Sequence, residues 1–180
     1  MKISGLTLYW KLYWLWVGIT IGLYAALVFW AGPRLSVRAG GLTPLDLRMG
    51  GYDLAGAKEL LGHFDAGNVG SYLNVWYPLD MTFLSFITLA MAAGLWQLFR
   101  RVKLLVRLAV TAIPLAYGLF DVFENNAVAA LFATGADGLT TASVKMAAQF
   151  TQAKFVFFFM AVFFILFGLV ADILARRKGL

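Results

Sequence analysis

Four stretches of this chain stay apolar for long enough to cross a hydrocarbon layer, which takes about 20 residues of helix. They cover about residues 12–31, 79–99, 104–132 and 141–175. The first carries no charge and is bordered by Trp10, Tyr13, Trp14 and Trp16 at one end and Trp30 at the other, as interfacial anchors would be. It is longer than the apolar part of a secretion signal, and no small-residue cleavage pattern follows it. It is therefore read as a retained span. Gly32-Pro33 is expected to end it, Pro78 to open the second span, and Pro114 to bend the third. Thr134 to Gly138 reads as the turn into the fourth.

Residues 34–77 form the one long polar stretch, and its charges nearly balance: Arg34, Arg38, Arg48 and Lys58 against Asp46, Asp53, Glu59 and Asp65. Apolar residues recur inside it at helical spacing. Leu54, Ala57, Leu60, Leu61 and Phe64 predict a short helix with Asp53 as N-cap and Gly62 near its end. Thr43-Pro44 reads as a second helix start, and Val69, Tyr72, Leu73 and Trp76 as a third amphipathic piece. The expectation is a cap of two or three short helices lying on the bundle at the membrane surface.

Composition agrees. Of 180 residues, 62% are hydrophobic and 13% charged, against roughly a quarter charged in an ordinary soluble domain. The mean hydropathy is +0.80. The fold class expected is all-α, a single-domain integral membrane four-helix bundle with a short extracytoplasmic cap between helices 1 and 2. There is no cysteine and one histidine, so disulfides, thiolate metal sites and histidine-built metal sites are disfavoured, and no cofactor or metal is expected. His63 is expected to be a surface or capping residue. The net charge of +6 is not a nucleic-acid signal, because its cations sit at the edges of apolar runs and no nucleic-acid motif accompanies them.

Those edges set an orientation. Lys2, Lys11, Arg100, Arg101, Lys103, Arg107, Arg176, Arg177 and Lys178 fall on one side, opposed by Asp172 alone. The positive-inside rule then places both termini in the cytoplasm, in a multi-pass protein of a bacterial inner membrane. With that topology, polar side chains of three helices reach one depth. Asp121, Glu124 and Asn125 share a face of helix 3 by their i, i+3, i+4 spacing. Asp80 on helix 2 and Gln149, Gln152 and Lys154 on helix 4 lie at the same level, beneath the cap. These residues are candidates for a polar pocket near the outer leaflet.

The alternative is pairing: Asp121 with Lys154 or a loop arginine, and Asn125 bonding across helices as packing glue. Two close carboxylates also suit an intramembrane acid/base pair. No Ser-His-Asp set, phosphate loop or metal cluster accompanies them. Gly18 and Gly22 form a G-x-x-x-G groove for close helix packing, either inside the chain or in a homo-oligomer. Pro114 is a further packing candidate. The phenylalanines from Phe155 to Phe167 surround helix 4 and read as a packing and lipid-facing surface. Three functions stand: binding of a lipid-like or small amphiphilic ligand, an accessory subunit of a membrane complex, or an acid/base enzyme. The partners expected are membrane lipid and a second copy or complex subunit, with no nucleic acid.

The run Gly51-Tyr52-Asp53 through Leu60-Leu61-Gly62 to Tyr72, then Pro78-Leu79-Asp80, then Tyr117-Gly118-Leu119-Phe120-Asp121-Val122-Phe123-Glu124-Asn125, resembles a group of small bacterial four-helix membrane proteins. Its members share the G-Y start of the cap and a D-x-x-E-N ending to the third span. The resemblance covers most of the chain after Gly40 and implies a four-span fold, with no assigned activity. Gly67-Asn68 stands where members carry Gly-Arg. A weaker likeness, in architecture and the Glu124-Asn125 pair, is to the superfamily of sterol isomerases and sigma-2-type receptors. The isomerase's catalytic histidine has no counterpart in a span here.

Overall fold

The computed structural model describes residues 3–177; Lys2 and Lys178, used above for orientation, lie outside them. Every regular element among the described residues is helical. In chain order these are α1 (Ile3–Ala25), α2 (Gly32–Arg38), α3 (Leu54–Leu61), α4 (Ala66–Ser71), α5 (Tyr77–Leu98), α6 (Leu104–Gly138) and α7 (Thr141–Arg177). Four continuous helical stretches are long and apolar enough to cross a membrane. They match the four predicted apolar runs, and two of them extend well past their predicted ends.

Both extensions run through a proline. Gly32-Pro33 does not end the first helix, because a π-helical turn over Ala26–Ala31 joins α1 to α2. There the Gly32 N–H bonds to the Leu27 carbonyl, five residues back. The wider turn makes room for a ring that would otherwise press on the carbonyl four residues back. Pro78 likewise does not open the second helix. A π-turn over Tyr72–Trp76 joins α4 to α5, with the Tyr77 N–H on the Tyr72 carbonyl immediately before Pro78. In α6 the dihedrals stay helical through the buried Pro114, and the break comes at Gly135 (φ 76°, ψ 163°). A positive φ costs glycine little, so the expected turn is placed there.

The long helices pack in a definite order. α6 lies between α5 and α7, and α1 rests chiefly on α5. Trp16 fixes that last contact: its indole N–H donates to the Phe86 carbonyl at 2.9 Å, and its ring stacks on Phe86 with centroids 4.3 Å apart. Gly118 lets α6 approach α5, since a Cβ there would stand 2.7 Å from the Thr88 hydroxyl. Because α1 and α7 both sit on α5, a seam is left between them.

Between α2 and α4 the chain leaves the long helices and packs its short elements against α6 and α7. Asp53 caps α3 as predicted, accepting from the Gly56 N–H at 2.8 Å, and Asp65 caps α4 in the same way through Asn68 at 2.7 Å. Thr43-Pro44 starts no α-helix; a single 3₁₀ turn follows, Leu45–Leu47. That turn drives Leu45 and Asp46 inward, to 1% and 4% exposure. The packing is apolar: Leu45, Leu60 and Tyr72 join Val128, Phe132, Val144 and Ala147 in one core, with the Tyr72 ring stacked 4.0 Å from Phe132.

Candidate functional site

Directly beneath that core the long helices present polar side chains to one another. Asp121, Glu124 and Asn125 share one face of α6, and Thr151 and Lys154, three residues apart, share the face of α7 turned toward it. The Lys154 ammonium lies 3.0 Å from Asp121 Oδ1 and 3.0 Å from Glu124 Oε2, so one cation bridges two carboxylates. Thr151 Oγ1 lies 2.9 Å from Glu124 Oε1 and 3.2 Å from the Ala147 carbonyl. A hydroxyl has one proton to give, and the shorter, charge-assisted contact takes it. From α5, Asp80 Oδ2 accepts from the Asn125 amide at 2.7 Å, and the same amide nitrogen reaches Asp121 Oδ1 at 3.5 Å. Turning the amide would set its oxygen against two carboxylates, so this orientation follows from the network.

The cluster is partly sealed and partly open. Glu124 is wholly buried and Asn125 is 2% exposed. Asp80, Asp121 and Lys154 instead line a cleft of about 640 Å³ between α1 and α7. Its walls are apolar: Ile21 and Tyr24 from α1, Phe83 and Ile87 from α5, Tyr117 from α6, and Phe155 and Phe158 from α7. Asp46 and Leu47 of the 3₁₀ turn close the end nearest residues 34–77. A second cavity of about 470 Å³ adjoins it between α1, α5 and the 36–47 loop, and Tyr24, Asp46, Leu47, Asp80 and Phe83 line both. The two spaces meet at a corner between Asp46 and Asp80.

Asp46 is the residue that the sequence did not single out. Burial pushes its carboxyl above the ordinary range; Lys154 opposes the shift and Asp121 adds to it. Burial also raises the Tyr52 phenol. The indole N–H of Trp76 is buried facing the Asp46 carboxyl, and the Tyr52 hydroxyl is buried facing Thr151; the Tyr72 hydroxyl is buried near the same carboxylates. Thr151 was missed too. Its signal was its position three residues before Lys154, which puts a hydroxyl on the same helix face. The signal at Asp46 was an acid flanked by Leu45 and Leu47 after a proline, in a stretch otherwise read as surface.

Of the predicted site residues, Asp80, Asp121, Glu124, Asn125 and Lys154 come together. Gln149 and Gln152 do not join them. They line a separate cavity of about 520 Å³ with Lys145 and the Gly50–Leu54 strand of chain. Gln152 donates to the Gly50 carbonyl at 3.0 Å. Gly51, at φ 83°, sits directly against that side chain. Depth along α7 is shared but the face is not, since two residues rotate a helix by about 200°. Pro114 is fully buried. Gly18 and Gly22 are exposed, and nothing in the chain comes within 4 Å of where their Cβ atoms would stand. No group of three or more His, Cys, Asp or Glu among the described residues is arranged to hold a metal. Comparison with known protein families, characterised proteins and solved structures finds no match to this chain.

Proposed function

We propose that the protein is a four-span protein of the bacterial inner membrane whose α1–α7 cleft binds a lipid-like or small amphiphilic molecule. Residues 34–77 then cap the outer end, and both termini face the cytoplasm. The same reading groups the chain with small bacterial four-helix membrane proteins, on the strength of the Gly51-Tyr52 and Asp121 to Asn125 motifs alone. Large apolar side chains exposed around the long helices, such as Phe29, Leu105 and Phe163, support the membrane setting, because water would penalise them and hydrocarbon would not. The observation that carries the ligand is the cleft itself. Its volume of about 640 Å³ lies within the usual range for small-molecule sites. Its long walls are apolar, and charged groups gather at one end, which matches a molecule with a tail and a head.

Native mass spectrometry of the protein released from detergent tests this. A bound amphiphile is expected on the unmodified chain and lost on Ile87→Trp, which fills the cleft. An adduct of equal occupancy on both proteins would overturn the reading. A second reading, an accessory subunit, is favoured by the exposed Gly18 and Gly22, which leave a surface for close approach by another helix. The acid/base reading gains no comparable support, since Lys154 holds both α6 carboxylates.

A further inference from the structure

The corner where the two cavities meet holds more negative charge than the protein's own cations offset. Asp46, Asp80, Asp121 and Glu124 interact electrostatically there, and Lys154 is the cation that all four face among the described residues. Its ammonium is already shared by Asp121 and Glu124, at 3.0 Å from each. Neither Asp46 nor Asp80 has a lysine or arginine within salt-bridge distance among the described residues. Two arginines of the 34–77 segment are engaged elsewhere. Arg48 donates to the Thr43 and Gly56 carbonyls, and Arg34 to the Trp30 carbonyl.

Three further features define the corner. Asp46, though only 4% exposed, lines both cavities. Tyr24 and Phe83, with ring centroids 5.7 Å apart, also line both, and aromatic faces attract cations. Trp76, 7% exposed, lines the second cavity and turns its N–H toward the Asp46 carboxyl, so a negative charge on Asp46 is favoured at this corner. An anionic head would meet carboxylates here. A neutral head would leave Asp46 and Asp80 without a counter-charge in a buried place, which is costly.

We infer that the cleft selects an amphiphile whose head carries an ammonium group, held between Asp46 and Asp80 against the rings of Tyr24 and Phe83. This rests on the reading of the cleft as an amphiphile site and names the ligand class. The tail runs between α1 and α7 along Ile21, Ile87 and Phe158. Free alkyl amines and lipids with ethanolamine or choline heads share the recognised ammonium.

The test titrates the purified protein in a neutral maltoside detergent with decyltrimethylammonium, decyl sulfate and decanol, each below its micelle threshold. Binding is read by thermal shift and tryptophan fluorescence. The ammonium is expected to bind at least tenfold more tightly than the other two. Asp46→Asn is expected to remove that preference. Tyr24→Leu alters an exposed side chain, so the fold is expected to survive it. It is expected to weaken ammonium binding about three- to thirtyfold while leaving decanol unaffected. Native mass spectrometry after reconstitution with and without ethanolamine-headed lipid separates the sources: retained lipid identifies the membrane, and binding of the alkyl ammonium alone identifies a free amphiphile. Equal binding of all three probes would overturn the head-group inference and leave the amphiphile cleft standing. Tightest binding of the sulfate would overturn it as well. No binding of any probe would remove the cleft reading itself.

Discussion

Lys154→Met is the most demanding test of the site as described. The substitution keeps an unbranched chain of similar length and removes the one charge that bridges Asp121 and Glu124. The Lys154 side chain is 9% exposed and its partners 7% and 0%, so water replaces little of the lost charge. Breaking a buried ion pair by deleting one partner costs about 3–5 kcal/mol. For a chain of 150–250 residues each kcal/mol moves the unfolding midpoint by about 2–4 °C, so a loss of roughly 6–20 °C is expected. The cost arises from two stranded carboxylates, so the triple variant Lys154→Met, Asp121→Asn, Glu124→Gln is expected to recover most of it. Thermal unfolding in detergent at neutral pH measures both. A single-variant loss under about 1 kcal/mol, or a triple variant no better than the single one, would show that the cluster is hydrated and the desolvation reasoning wrong.

Asp46→Asn is expected to make stability less dependent on pH. Burial raises the Asp46 carboxyl above its ordinary value of about 4, so the folded state binds this proton more tightly than the unfolded one. The stabilisation is complete below the ordinary value and is lost as pH rises through the raised one. The variant is therefore expected to unfold at a higher temperature than the parent at pH 8 and to show no such gain at pH 3.5, as melting curves at the two pH values will show. Gly118→Ala places a Cβ 2.7 Å from the Thr88 hydroxyl and 2.9 Å from its methyl carbon. It is expected to cost about 1–3 kcal/mol by forcing α6 from α5, and the double variant with Thr88→Ala, unfolded under the same conditions, is expected to recover stability.

The four apolar helices were legible because hydrophobic length is a local property of the sequence. The meeting of Asp80, Asp121, Glu124, Asn125 and Lys154 was legible for a less local reason. Alternating helix directions fix the depth of each residue, and the i, i+3, i+4 spacing fixes that Asp121, Glu124 and Asn125 share a face. Depth does not fix azimuth. Gln149 and Gln152 lie at the predicted level yet turn to the loop around Gly50, because Thr151 and Lys154 hold the face toward α6. The prolines misled in a similar way. The sequence places a helix end at Gly32-Pro33 and a helix start at Pro78, because proline lacks the N–H and clashes four residues back, but a preceding π-turn lets the helix run through both.

Asp46 shows what a balanced charge count hides. Opposing charges in a polar segment suggest a solvated surface, and seven of the eight charged residues counted there fit a chain whose apolar side alone faces the helices. Which one turns inward is decided by a short 3₁₀ turn after Pro44, whose two leucines differ in fate: Leu45 is 1% exposed and Leu47 is 51% exposed. Leu45 is drawn into the core between α3 and α6, and the residue after it must then enter the cleft. The acid at the junction of the cavities is thus placed by an apolar neighbour. That links stability to the proposed specificity: a Leu45→Ala change would loosen the anchor that holds the Asp46 carboxylate at the corner, although it alters no charge.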